Sequence, residues 1–195
     1  MSHETSKAVR RRFLEDKVLG SPFWEKIFAG DGVDVGSGDD PLPFVYCEVF
    51  DKEQGDAQFL SQYLPENKYD YIHASQVVEH LPDPLAAVKD WHKLLREDGY
   101  LIMTVPSWEL YEGMVWPSRW NPEHKSTWSL WQKGSPAQIH IFVPQFLIEL
   151  NPLYSYLRAD LIDTNYDYSV AATRDQTVHE ELGVEAFIEI VLRKK

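Results

Sequence analysis

The chain reads as an α/β domain with a mostly parallel sheet and helices on both faces. Three observations point there. Apolar runs of strand length recur at Val33–Gly36, Phe44–Phe50, Tyr69–Ser75 and Tyr100–Pro106. A helix with a clear start fills the space between the last two, giving the strand, helix, strand order of parallel βαβ units. The first run ends in Gly36-x-Gly38, a turn suited to close approach between backbone and ligand.

Taken in order, residues 1–31 form a polar tail and a helical lead-in. Their basic run, Lys7, Arg10, Arg11 and Arg12, reads as a solvated face. Val33–Gly36 is the first strand and Phe44–Phe50 the second. Tyr69–Ser75 is apolar enough for burial on both faces. Asp83 is a natural N-cap and Pro84 suits the first helical position. Leu85, Val88, Trp91 and Leu95 then repeat at helical spacing, and Gly99 follows the expected last turn. Tyr100–Pro106 is a further buried strand.

Residues 107–137 break the pattern. They hold Trp108, Trp116, Trp120, Trp128 and Trp131, five of the 7 tryptophans, with several prolines and no clear period. A connection this long reads as a lid-like insertion. Helix is expected again at Phe142–Leu150, and strand at Leu157–Asp163 and Ala186–Arg193. No repeat or linker interrupts the chain, so residues 1–195 read as a single domain.

Composition narrows the function. A formal charge of −12 leaves no general basic face for phosphates, so a nucleic-acid partner is not expected. Small-molecule substrates remain open. Cys47 is the single cysteine, and no Cys/His spacing reads as a zinc site. No apolar run reaches membrane-span length and no leader-like order opens the chain, so a cytoplasmic protein without membrane attachment is expected. Nothing in the sequence assigns an oligomeric state.

The glycine loop narrows the ligand. A dinucleotide fingerprint would place a third glycine at position 41, with free N–H groups facing a pyrophosphate. Pro41 stands there, without an N–H, and Asp39 and Asp40 precede it. Carboxylates repel phosphate but suit a sulfonium or an ammonium group. The loop therefore favours S-adenosylmethionine (SAM) over NAD or ATP.

Four elements in order resemble the class I SAM-dependent methyltransferases, a Rossmann-like family, and in particular its quinone-biosynthesis-like small-molecule branch. They are VDVGSGD (33–39), Asp51 near the end of the second strand, GDA (55–57), and YDYIHASQVVEHLPDP (69–84) leading to DGYLIMTVP (98–106). In the family's strand order the Trp-rich segment becomes an insertion after the fifth strand. The resemblance implies that Gly36, Ser37 and Gly38 pass close to the methionine portion, with Asp34 organising the loop. It implies that Asp51 accepts from the ribose hydroxyls, and that Asp56 and the Ala57 N–H face the adenine. Ala74, Ser75 and Gln76 would line the methionine side.

The chain departs from the pattern in two ways. Asp40 replaces the family's third glycine, and the intervals around Asp51 are too short for the usual helices. Such compression resembles a bacterial subgroup with shortened helices. It also motivates an alternative, a non-catalytic domain that binds SAM or a protein partner.

The expected reaction moves a methyl group from SAM to an oxygen or nitrogen of a small-molecule acceptor, a sugar or an aromatic compound, leaving S-adenosylhomocysteine. Such acceptors can need a base, most often histidine. His124, exposed by its NPEHK context, and His80, after the Tyr69–Ser75 strand, are the catalytic candidates; His73 reads as a core histidine. Some relatives of the family bind a divalent ion through an E-x-x-E-H run. Here the run is Gln76-Val-Val-Glu79-His80, an amide replaces the first carboxylate, and no metal is expected.

Overall fold

A computed structural model describes residues 4–171, 173–178 and 183–195. Helices α1 (Glu4–Leu19) and α2 (Phe23–Ile27) precede strands β1 (Gly32–Val35), β2 (Cys47–Phe50) and β3 (Tyr69–Ser75). Helix α3 (Pro84–Trp91) leads to β4 (Leu95–Pro106), then β5 (Ser126–Ser129), β6 (Ile139–Phe142) and α4 (Val143–Leu150). Strands β7 (Tyr154–Ile162) and β8 (Phe187–Lys194) end the chain. The main sheet has the order β2-β1-β3-β4-β8-β7, and β8 runs against its neighbours. Among the described residues, no helix is long and apolar enough to cross a membrane.

Each face of this sheet carries its own core. On one side α3 and α4 bring Ala87, Val88, Trp91, Val143, Phe146 and Leu150 onto Val33, Val35, Ile72 and Leu101. On the other, Trp24, Ile27 and Phe28 around α2 pack with Leu42, Tyr71, Ile102 and Val191. Strand β3 lies between both cores, which is why Tyr71, Ile72, His73 and Ala74 are buried on successive residues rather than on alternate ones.

Four expectations need correction. Of the basic run of α1 only Arg10 is exposed: Arg12 is fully buried, Lys7 nearly so and Arg11 half-buried. For the arginines the reason is Glu189, buried on β8 beneath the helix, which accepts from Arg12 Nε at 2.7 Å and from Arg11 Nη2 at 2.7 Å, while Lys7 Nζ donates to the Thr177 carbonyl at 2.6 Å. Arg11 Nε also donates to Glu185 at 2.9 Å. Helix α1 thus docks through ion pairs as well as through Ala8, Val9 and Phe13, and it ends at Gly20, where φ is +62° and Ser21 N donates back to the Asp16 carbonyl.

Helix α3 starts as expected, with the Asp83 side chain accepting from Ala86 N at 3.0 Å, but it stops at Trp91 rather than near Gly99. Leu95 already pairs with Tyr69 as the first residue of β4. Gly99 serves close backbone approach instead: a Cβ there would lie 2.9 Å from the Arg96 carbonyl oxygen. The second strand is shorter than expected, because Phe44 turns into the α1–α2 side core and only Cys47–Phe50 pairs with β1. The Trp-rich insertion is not wholly irregular. Its β5 pairs in parallel with β6, Ser107 bridges Trp128, and Trp128 is buried in the main core.

Candidate active site

The carboxyl ends of β1, β2 and β3 meet at the glycine loop. Gly36 has φ +68°, and a Cβ there would lie 2.5 Å from Val77 Cγ2, so only glycine fits between β1 and the turn after β3. Gly36 N donates to the Phe50 carbonyl at 2.7 Å. Asp34, buried, accepts from Leu42 N at 2.8 Å and holds His73 Nδ1 at 2.7 Å. Arg12 Nη1 lies 3.1 Å from His73 Nε2. Arginine can only donate, so Nε2 accepts and the His73 proton sits on Nδ1, facing Asp34. A buried chain of contacts therefore runs from Glu189 through Arg12 and His73 to the base of the loop.

Two cavities flank Gly36. The smaller, about 370 Å³, is lined by Phe50, Asp51, Lys52, Gly55, Asp56, Ala57 and Val77 as well as Gly36. Asp51 accepts from Gly38 N at 2.9 Å and from Lys52 N at 2.7 Å, tying the end of β2 to the glycine loop. Asp56 caps the 3₁₀ helix Ala57–Gln62 by accepting from Gln58 N at 2.9 Å.

The larger cavity, about 400 Å³, has walls that include Ser37, Asp40, Ser75, Gln76, Tyr111, Asn121 and His124. Glu4 and Thr5 of α1 also reach it. Asp40 faces this wall but is engaged: it accepts from Ser6 N at 2.9 Å and from the Ser6 hydroxyl. Gln76 sits at φ +57°, a region few non-glycine residues occupy, and it is held there by Gln76 N donating to the Thr104 carbonyl at 3.0 Å. Strain of this kind costs on the order of 1–3 kcal/mol and gathers at functional sites.

Sequence reasoning thus named residues that the fold divides into three groups. Gly36, Ser37, Ser75, Gln76 and His124 line the larger cavity, and Gly36, Asp51, Asp56 and Ala57 line the smaller. Asp34, Gly38, Ala74 and His80 lie outside both linings, Asp34 and Ala74 being buried beneath them.

One cluster was not legible as a unit. His124 is 7% exposed, which corrects the exposure expected from NPEHK. Its Nδ1 lies 2.6 Å from Glu112 Oε1, a fully buried carboxylate. The other edge of the ring faces Glu79, with Nε2 3.9 Å from Glu79 Oε1. His80 Nε2 is also 3.9 Å from that oxygen, while its Nδ1 lies 3.2 Å from the Glu123 carbonyl. The two imidazoles meet edge to face with centroids 4.9 Å apart.

Glu79 is fully buried, and among the described residues neither of its oxygens has a hydrogen-bond partner. Burial pushes its carboxyl up to about 7, against the opposing pull of His124. Burial, and then the neighbouring His124, lower the pKa of His80. Backbone bonds fix the cluster, since Lys125 N donates to the Glu79 carbonyl at 2.8 Å. His140 is engaged elsewhere: its Nδ1 lies 2.8 Å from Thr127 Oγ1 and its Nε2 2.9 Å from the Gln132 carbonyl.

Comparison with known proteins accords with this geometry. Residues 11–150 match the family described as methyltransferase domain, and the chain belongs to that family. No curated protein sequence matches it. Its fold is similar to that of a SAM-dependent methyltransferase from Archaeoglobus fulgidus, at 17% identity and TM-score 0.57, over 100% of this chain and 95% of the other. A SAM-dependent methyltransferase from Mesorhizobium loti gives 14% and 0.52, over 86% and 92%. A structure described for conversion of a disulfide bond into a thioacetal group during echinomycin biosynthesis gives 11% and 0.56, over 94% and 80%. The chain is thus a SAM-dependent class I methyltransferase with a Rossmann-like, mostly parallel sheet.

Proposed function

We propose that this enzyme methylates an oxygen or nitrogen atom of a small molecule, a sugar or an aromatic compound, seated in the larger cavity. The observation that carries the reading is the junction of two cavities at Gly36, with the buried His124–Glu112 pair on the wall of the larger one. A space of about 400 Å³ suits the methionine end of the cofactor and a small acceptor rather than a polymer. The charge of −12 argues in the same direction. The neighbour tied to echinomycin biosynthesis gives a precedent for small-molecule chemistry on this fold.

When bound, SAM supplies an electrophilic methyl group on a sulfonium. The chain's residues hold and orient the reactants. Asp51 is placed to accept from ribose hydroxyls at the smaller cavity, with Asp56 and the Ala57 N–H at its adenine end. Gly36, Ser37, Ser75 and Gln76 form the methionine side, and Asp34 fixes their loop from beneath. Residues 107–137 act as a lid, contributing Tyr111, Asn121 and His124 and excluding water on closure. With its Nδ1 proton directed at Glu112, His124 keeps a lone pair on Nε2, and acceptor activation falls to this edge.

Calorimetry tests the cofactor side: SAM and S-adenosylhomocysteine bind in the micromolar range and NAD does not. His124→Ala lowers turnover at least tenfold with cofactor affinity kept within about twofold. NAD binding without SAM binding, or full turnover in the His124 variant, would overturn the reading.

A further inference from the structure

We infer that Glu79, His80 and His124 form a binding site for one divalent transition-metal ion at the acceptor side of the cofactor. The three residues each present one ligand atom, and these atoms all lie within 4.8 Å of one another. Hydrogen positions sharpen the point. A carbonyl can only accept, so His80 donates through Nδ1 to Glu123, leaving a lone pair on Nε2. His124 donates through Nδ1 to the Glu112 carboxylate, leaving a lone pair on its Nε2 as well. Both Nε2 atoms stand 3.9 Å from Glu79 Oε1. With Glu79 ionised and both rings neutral, three acceptor atoms converge.

Ordinary packing does not produce such a convergence. A buried carboxylate without a donor is costly, and buried polar groups almost always find partners. Among the described residues neither Glu79 oxygen has a hydrogen-bond partner, although Lys125 N and the Ser126 hydroxyl both donate to the Glu79 carbonyl. A cation supplies what is missing. Ligands about 2.1 Å from a tetrahedral centre stand about 3.4 Å apart, so the 3.9 Å spacings need to close by roughly half an ångström.

The surroundings match a metal site as well. Metal-bound histidines almost always direct their other N–H at a carboxylate or carbonyl oxygen, which sets tautomer and ring orientation. Here Glu112 and the Glu123 carbonyl do so, one for each histidine. Two imidazoles and one carboxylate select borderline ions such as Zn²⁺, Fe²⁺ or Co²⁺ over Mg²⁺ or Ca²⁺, which want oxygen ligands, with the harder Mn²⁺ a weaker but spectroscopically visible occupant. The expectation of no metal counted ligands only along Gln76–His80. The fold adds His124 from the insertion and makes the first carboxylate of that run dispensable.

His124 belongs both to the cluster and to the cavity wall; an ion here would occupy the His124 Nε2 lone pair, so acceptor activation would pass from that ring edge to a coordination position the ion leaves open. That role rests on the proposed function. The binding of the ion does not.

The test uses the full chain, stripped with chelator and checked for folding by circular dichroism. Titration with Mn²⁺ followed by electron paramagnetic resonance, with Zn²⁺ as competitor, is expected to show one ion per chain. Glu79→Gln and His124→Gln should each weaken binding at least tenfold, and saturating Zn²⁺ should raise the melting temperature of the unaltered chain only. No stoichiometric binding by the folded chain, or equal binding by Glu79→Gln, overturns the inference. Calorimetry with S-adenosylhomocysteine on the same samples separates the two ideas. A chain that binds the nucleoside but no ion loses the metal alone, and one that binds the ion but no nucleoside loses the methyltransferase reading alone.

Discussion

Replacing Glu189 by glutamine removes the charge that anchors α1 while keeping the side chain's shape. Burial alone would raise the pKa of Glu189, but Arg12 and Arg11 outweigh burial and hold its carboxyl near 2, against an ordinary 4.5. At about 1.4 kcal/mol for each pH unit, that gap corresponds to roughly 3 kcal/mol of stability at neutral pH. The figure sits at the lower edge of the 3–5 kcal/mol typical for breaking one partner of a buried ion pair. The sign follows from the depressed folded-state pKa. The contribution is complete above the unfolded value of about 4.5 and is lost as pH falls from there towards 2. Urea unfolding of both proteins, followed by circular dichroism and tryptophan fluorescence, reads it directly. Trp24 is a suitable local reporter because the Arg12 guanidinium lies 5.1 Å from its ring centre. The two unfolding free energies should differ by about 3 kcal/mol from pH 7 down to 5 and by about 2 kcal/mol at pH 3.5. A difference under about 0.5 kcal/mol at pH 7, or one unchanged between pH 5 and 3.5, would refute the ion-pair account of α1 docking.

Two further predictions concern the cofactor side. Asp51→Ala should weaken SAM binding by about 1–3 kcal/mol, roughly five- to 150-fold, the scale for leaving ligand hydroxyls without a charged acceptor; calorimetry on a folded variant with unchanged affinity would remove Asp51 from the ribose site. Limited proteolysis should cut within residues 107–137 in the free protein, around Glu112–Lys125, and S-adenosylhomocysteine should slow it; cleavage at the same rate with and without the nucleoside would argue against a lid.

What the sequence showed and what it hid divide along a physical line. Strand β3 was legible to the residue because burial by two cores fills it with Tyr69, Tyr71, Ile72 and Ala74, and no helical period competes. The start of α3 was legible because Asp83 and Pro84 act locally on the first turn. Its end was not, since Leu94 and Leu95 continue the helical apolar spacing while serving the buried entry to β4. Non-local electrostatics were the main blind spot. A basic run looks solvated unless its partner is known, and the partner of Arg12 lies on the last strand. Yet Glu189 in the apolar run Phe187–Leu192 was itself a signal, because a charge fixed in a buried strand must meet another. The same logic applies to Glu79. It follows Val78 in a short turn, and both side chains are fully buried. Its counterpart could not be found nearby, because His124 arrives from a segment with no period and is turned inward by Glu112, whose burial nothing local announces. A buried acid without a local partner therefore marks where a fold brings distant residues together. In this chain one such acid anchors a helix through two arginines, and the other faces only lone pairs. The first needs nothing more, whereas the second calls for a cation.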